Sequence, residues 1–241
     1  MLTQPSGKPG YGQMCECTGR LENQSQGLNS LKSSDISCSG VILAGGLSTR
    51  YSGENKAFLD IGQRRIIDAI YEVFKSVFDE IIIVTNSPSD YLEWDAHIVT
   101  DIFDIRSSLT GIHTGLFYAT HPFIFVTACD SPFIKKELVQ LMVKNIEPNI
   151  SVVIPETSKG MEALFAVYSK DCLPVMENHI KAEKCKIQRL FNKFKVKKVP
   201  EDVLRQKDPE LISFFNVNTA EDLAEAKLWL KNNGGSQPYI A

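Results

Sequence analysis

What the chain lacks narrows its function first. No apolar run approaches the ~18 residues that a membrane-crossing helix needs, so no membrane contact is expected. Basic residues do not dominate: 26 Lys and Arg stand against 29 Asp and Glu, for a net charge of −3. That balance gives no whole-protein attraction for nucleic acid or an acidic membrane. The six cysteines (Cys15, Cys17, Cys38, Cys129, Cys172, Cys185) include no Cys-x-x-Cys pair, and Cys15 and Cys17 stand too close for a zinc clamp. Reduced thiols and a cytoplasmic location are expected for a chain with this much core. The four histidines (His97, His113, His121, His179) show no metal-ligand spacing. Residues 1–7 offer no continuous apolar segment, so no secretory signal is expected. Two familiar phosphate loops are also missing. No Gly-x-x-x-x-Gly-Lys-Ser/Thr occurs, and the glycines at 45 and 46 are adjacent rather than spaced as in Gly-x-Gly-x-x-Gly.

What is present suits a globular α/β protein. The 241 residues are 43% hydrophobic and 23% charged, ordinary values for one domain with a real core. Residues 1–38 differ: rich in Gly, Ser, Gln, Asn and Pro and without periodicity, they read as a flexible extension. The folded domain is expected over residues 39–233, with a short tail over 234–241.

The chain is organised around residues 40–59. A short apolar run, Val41 to Ala44, reads as a buried strand that stops at Gly45-Gly46. Glycines there let backbone N–H groups approach a ligand closely. Ser48, Arg50, Gly53 and Lys56 follow, a hydroxyl, two cations and one more flexible point with no run of acids. Fixed positive charge beside neutral donors suits a triphosphate.

Downstream, strands and helices alternate. Residues 61–78 read as a helix from the spacing of Ile66, Ile67, Ile70, Val73, Phe74 and Val77. Residues 80–86 form a strand apolar throughout, as a parallel strand covered on both faces must be. A short helix near Tyr91, a strand over 97–101, a helix over 108–120 and a strand over 122–130 follow. Ser151–Pro155 and Ala163–Tyr168 read as a strand pair, and the cations between Lys181 and Lys198 as a solvated helix face. This cadence indicates a mostly parallel sheet with helices on both faces, in which ligands sit outside the carboxyl ends of the strands. The glycine loop, Asn86, Asp101 and Asp130 all fall at such ends. An acid beside a buried strand is costly unless paired with a cation, so Asp130 is either a magnesium ligand or the cap of a helix starting near Pro132. Thr219 and Asp222 are spaced as a capping box for a last helix.

The pattern Leu43-Ala44-Gly45-Gly46-x-Ser48-x-Arg50, followed by Gly53-x-x-Lys56-Ala57, resembles the signature loop of molybdenum cofactor guanylyltransferases. The Asp130-x-Pro-Phe and Asn216-x-Asn218-Thr219 segments match the same family at corresponding distances. Where the family has Arg-Met-Gly, this chain has Arg50-Tyr51-Ser52-Gly53. Its 108–112 segment lacks the family's proline, and Ala220 replaces another. The resemblance implies a three-layer α/β/α, Rossmann-like fold of the nucleotide-diphospho-sugar transferase type. It also implies a nucleotide site at Leu43, Ala44, Gly45, Gly46, Gly53, Lys56, Asn86, Asp101 and Asp130, with Asp130 holding Mg2+. Arg50, Lys56 and Asp130 would be catalytic, and Asn216 and Asn218 would lie beside the pterin. The implied substrates are GTP and Mo-molybdopterin, with molybdoenzymes or cofactor chaperones as further candidate partners. A guanine edge presents adjacent N–H donors that the Asp101 carboxylate can accept. Two alternatives stand beside guanylyl transfer: cytidylyl transfer to the same pterin, and a nucleotide-binding module without turnover.

Overall fold

In the computed structural model residues 37–45 and 55–233 are described. Most of the expected extension, the tail 234–241 and the middle of the glycine loop, with Gly46, Arg50 and Gly53, lie outside the described residues. The chain runs β1 (Cys38–Leu43), a hairpin of β2 (Asp60–Ile61) and β3 (Arg64–Arg65), α1 (Ile66–Lys75), β4 (Ile81–Val84), β5 (His97–Val99) and α2 (Ser108–Tyr118). It continues through β6 (Phe123–Ala128), α3 (Lys136–Lys144), β7 (Val152–Thr157), β8 (Gly160–Met161), β9 (Phe165–Ser169), α4 (Leu173–Lys181), β10 (Val196–Pro200), α5 (Glu201–Arg205) and α6 (Ala220–Asn232).

The main sheet has the order β10-β7-β9-β6-β1-β4-β5, with β8 added to β7. β1 runs parallel to β4 and β6, β5 parallel to β4, and β10 parallel to β7; β9 alone runs antiparallel within this order. Successive strand side chains point to opposite faces, and both faces are apolar. Val41, Ile82, Ile124 and Val126 pack with Leu109, Ile112 and Leu116 of α2 and Met176 and Ile180 of α4. Their neighbours Ile42, Ile83 and Phe125 pack with Ile67, Ile70 and Phe74 of α1, Leu138 and Met142 of α3, and Ala226 and Leu230 of α6. This is the expected three-layer α/β/α arrangement. Each fully buried Ile, Leu or Phe contributes roughly 1.5–3 kcal/mol of transfer free energy.

Helix α2 lies unusually close to β1. A Cβ on Gly115 would meet Val41 Cγ1 at 2.7 Å, and one on Gly111 would meet Leu43 Cδ2 at 3.1 Å. These glycines let the helix settle onto the strand and bring its amino end beside the exit of β1.

Three local expectations differ from the structure. The helix expected from residue 61 begins at Ile66. Ahead of it Gly62, at φ +73°, turns the β2–β3 hairpin, and Arg65 with Asp68 caps the helix start. No helix starts near Pro132, because α3 begins at Lys136 with Lys135 at its N-cap; the capping role open to Asp130 falls away. The cations between Lys181 and Lys198 do not share a helix face. Lys181 ends α4, and the rest run through two 3-10 turns, Ile187–Arg189 and Phe191–Lys193, with Ile187, Phe191 and the intervening Leu190 buried, and then into β10. There Lys197 pairs with Glu147 and Lys198 with Glu156, charges that suit a strand at the sheet's edge.

Candidate active site

The strand ends are held level by hydrogen bonds that run past the strands. Ala44 N–H donates to Val84 O at 2.8 Å, Thr85 N–H to Val99 O at 2.9 Å, and Cys129 N–H to Leu43 O at 3.0 Å. The carboxyl ends of β1, β4, β5 and β6 therefore open onto one cleft of about 320 Å3, lined by Leu43, Ala44, Gly45, Lys56, Asp101 and Asp130 among others. That volume lies at the lower end of the ~300–1,000 Å3 usual for small-ligand sites.

At one end of the cleft a positive charge sits between oxygens. Lys56 Nζ donates to Asn218 Oδ1 at 2.8 Å and lies 3.9 Å from Asp130 Oδ2. Burial pushes the Asp130 carboxyl above its ordinary range, against the opposing pull of Lys56. The carboxylate is thus incompletely compensated and favours additional positive charge. Burial likewise pushes the neighbouring Cys129 thiol up to about 12, helped by Asp130, so Cys129 stays a thiol.

The C-terminal segment reaches this end by a stitched path. Val217 N–H donates to Asp130 O at 2.8 Å, and Ser131 Oγ donates to Asn216 Oδ1 at 2.7 Å. Further back, buried Asp208 accepts from Ser213 N–H at 2.8 Å and lies 2.8 Å from Lys135 Nζ. Val217 is buried between exposed Asn216 and Asn218, so the two asparagines share a side, as alternation in an extended segment predicts. Thr219 and Asp222 then form the expected capping box of α6.

At the other end Asn86 Nδ2 donates to Asp101 Oδ2 at 3.0 Å. Asp101 Oδ1 is buried and has no hydrogen-bond partner among the described residues. Burial raises the Asp101 carboxyl, while Asn86 and Arg106 pull it back. A buried acceptor left unmet costs roughly 1–3 kcal/mol, which a ligand donor placed there would recover. Gly45 lies at this end: a Cβ there would stand 3.1 Å from Asn86 Nδ2 and 3.7 Å from Asp101 Oδ2. The missing side chain leaves that corner open.

Of the residues expected at a site, the structure therefore brings together Leu43, Ala44, Gly45, Lys56, Asn86, Asp101, Asp130, Asn216 and Asn218. Several cleft residues escaped the sequence reading. Asn55 caps the 3-10 turn Lys56–Phe58, its Oδ1 accepting from Ala57 N–H at 3.1 Å. Ser107 caps α2, accepting from Thr110 N–H at 3.1 Å, and Arg106 precedes it. An asparagine directly before Lys56, and a serine three residues before a threonine at a helix start, were the available signals. Glu162, raised by burial against the pull of Lys159, is not among the lining residues, although Leu164 is.

The cleft offers charge and hydrogen bonding. No Ser-His or Cys-His pair lines it among the described residues. Such an arrangement fits transfer between anionic groups, where the work is neutralising and aligning charge rather than removing a proton.

Comparison with known proteins agrees with this geometry. The chain is 46% identical over 192 residues to a molybdenum cofactor guanylyltransferase of Desulfosudis oleivorans, covering 80% of this chain and 95% of that protein. It is 39% identical to a probable molybdenum cofactor guanylyltransferase of Natranaerobius thermophilus, covering 80% and 96%. The crystal structure of molybdopterin-guanine dinucleotide biosynthesis protein A from Archaeoglobus fulgidus superposes with a TM-score of 0.72 at 25% identity, covering 80% and 99%. At 15% identity, a CMP:2-keto-3-deoxy-manno-octonic acid synthetase solved with CTP shares the fold, with a TM-score of 0.64. The MobA-like NTP transferase domain matches residues 40–199, and the chain belongs to that family.

Proposed function

We propose that the protein transfers GMP from GTP to the terminal phosphate of Mo-molybdopterin, giving Mo-molybdopterin guanine dinucleotide and pyrophosphate. An oxygen of the acceptor phosphate attacks the α-phosphorus, and the bond from that phosphorus to the oxygen bridging the β-phosphate breaks. The acceptor is already anionic at neutral pH, so no general base is needed. Repulsion between the two anions is the barrier, and the cleft meets it with charge. The observation that carries the reading is the polarity of the cleft. A cationic end (Lys56 held by Asn218 beside Asp130) and an acceptor end (Asp101 with an unmet oxygen) open onto one cleft, with Gly45 against the acceptor end.

In this reading Lys56, with Arg50 from the loop, binds the triphosphate, and Asp101 receives the N–H donors of guanine with Asn86 fixing its other oxygen. Leu43, Ala44, Gly45, Gly46 and Gly53 complete the nucleotide site, and Asn216 and Asn218 face the pterin. The residues fit Mg2+. The Asp130 carboxylate and the Asn218 amide oxygen already flank an ammonium group, and Asp130 is poorly compensated without a further cation. A divalent ion held by one or two protein oxygens, its shell completed by water and phosphate, would neutralise the triphosphate and the leaving pyrophosphate. Asp130 would hold it. The catalytic unit is residues 39–233.

Pyrophosphate release tests the reading. With Mg2+ and Mo-molybdopterin the protein should release pyrophosphate from GTP, and CTP or ATP should compete poorly. Release from CTP in preference to GTP would point to cytidylyl transfer. GTP binding without release would point to a binding module.

A further inference from the structure

Beneath the cleft lies a buried phenol that the transfer chemistry does not use. Tyr91, fully buried, ends the 3-10 turn Pro88–Tyr91 that follows Asn86. Its ring packs against Phe58 at 5.1 Å and Trp94 at 5.7 Å between centroids. The Arg65 guanidinium covers Trp94 at 4.7 Å and is itself held by Asp68 at 2.8 Å and Glu93 at 2.6 Å. The phenol is thus set in a rigid aromatic bed.

The hydroxyl of this ring accepts a hydrogen bond from Asn55 Nδ2 at 2.9 Å. Asn55 spends both ends of its amide: the nitrogen goes to Tyr91, and the oxygen caps the turn that begins at Lys56. Phe58 N–H closes that turn on Asn55 O at 3.0 Å, and Ala57 within it is fully buried. The Thr85 hydroxyl, beside the phenol, accepts from Ser87 N–H at 3.2 Å and lies 3.5 Å from Ala44 O. One buried hydroxyl therefore stands where the exit of β1, the exit of β4 and the turn bearing Lys56 meet. A phenylalanine would fill the same apolar bed equally well, so packing alone does not call for the oxygen.

We propose that Tyr91 is a positioning residue for the transfer reaction, its hydroxyl orienting Asn55 so that Lys56 is presented at a fixed place in the cleft. Tyr91 does not line the cleft itself, and its effect passes through Lys56. The proposal rests on the nucleotidyl-transfer reading for its kinetic consequence, but not for its structural one.

The test compares Tyr91→Phe, Asn55→Ser (which keeps a capping oxygen but loses the N–H reaching Tyr91) and Lys56→Ala, singly and combined. Misplacing a charge-bearing group by a fraction of an ångström costs on the order of tenfold in rate. Tyr91→Phe should lower kcat/KM for GTP by roughly that factor while leaving the KM for the pterin acceptor unchanged. Asn55→Ser should behave alike, and the pair should be no worse than either alone. In the Lys56→Ala background Tyr91→Phe should have no further effect. A second readout needs no turnover: labelling of each lysine by an amine-acylating reagent, followed by peptide mass spectrometry. Tyr91→Phe should change the labelling rate of Lys56 several-fold and leave Lys75 and Lys144 alone. Unchanged kinetics together with unchanged Lys56 labelling overturn the proposal, as does a Tyr91→Phe loss that persists in full beside Lys56→Ala. If the unaltered protein turns over no GTP yet Lys56 labelling shifts in Tyr91→Phe, the positioning stands and the guanylyl-transfer reading fails.

Discussion

The sheet has carboxyl groups drawn from solvent at both of its ends, and the two ends are treated in opposite ways. At the amino end Glu80, nearly buried, accepts from Ser39 Oγ and from Thr120 N–H at 2.9 Å, with His121 and His97 beside it. Burial alone would raise its pKa, but the hydrogen bonds from Ser39 and Thr120 and the nearby His121 outweigh it and hold the group below the usual range. At the carboxyl end Asp130 and Asp101 are half-buried and under-compensated, and both are raised. A satisfied carboxylate ties elements together, here the end of α2 to the start of β4. An unsatisfied one is left with uncompensated charge or an unmet oxygen. The contrast separates an acid satisfied within the fold from the two proposed to meet a ligand, without any reference to the reaction.

The comparison breaks most readily at Asp130. If Asp130 holds the cation as proposed, Asp130→Asn should abolish nearly all pyrophosphate release, a loss on the order of 10^3-fold, because the carboxylate that would hold it is gone. The same change should leave the melting temperature equal or higher, since it removes a half-buried, incompletely compensated charge. Lys56→Ala should cost about 3 kcal/mol of transition-state stabilisation, roughly a hundredfold in kcat/KM for GTP. Full activity in that variant would remove Lys56 from the mechanism.

At the opposite end the signs reverse. Glu80→Gln should keep activity at room temperature but lose roughly 1–3 kcal/mol of stability, measured by urea unfolding at neutral pH. The pH dependence follows from the direction of each shift. Glu80 is lowered in the folded chain, so its contribution is complete above the unfolded carboxyl value and is lost as pH falls through its folded one. The melting temperatures of the Glu80→Gln variant and the unaltered protein should therefore converge on acidification. Asp130 and Asp101 are raised, so the folded chain holds their protons more tightly than the unfolded one. Acidification through their folded values stabilises, and Asp130→Asn should remove part of that gain. Parallel melting curves against pH for all three proteins would erase the distinction between the two ends.

The smallest effect belongs to Gly45. Gly45→Ala places a methyl group against Asn86, tight but short of a clash, beside Asp101. GTP binding should weaken several-fold while CTP binding changes less, read by calorimetry with each nucleotide.

The contrast between regions also marks what could be read from the residues alone. The parallel half of the sheet was legible because β1, β4 and β6 are continuous apolar runs ending in Gly45, Asn86 and Asp130, and run length and punctuation are local properties. The insertion of antiparallel β9 between β6 and β7 was not legible, because pairing order depends on contacts distant in sequence. Helix α1 was placed from the periodicity of Ile66 to Val77, but its start was set too early, at Ile61, because an apolar residue there masked the turn at Gly62. Lys56, Asp101 and Asp130 stood out as charges at strand ends. Asn55 and Tyr91 did not, since a cap and a buried phenol look like ordinary fold residues until the hydrogen bond between them is seen. Likewise the asparagines of residues 216–218 read as one face of an extended segment, whereas their contacts with Ser131 and Lys56 required the fold.

The most direct measurement of the account is calorimetric titration of GTP, CTP and ATP into the protein, with and without Mg2+, repeated on Asp130→Asn. The account predicts that GTP binds more tightly than either rival, that Mg2+ strengthens its binding, and that the Mg2+ effect vanishes in Asp130→Asn. Equal binding of all three nucleotides, or a Mg2+ effect that survives the loss of the Asp130 carboxylate, would contradict it.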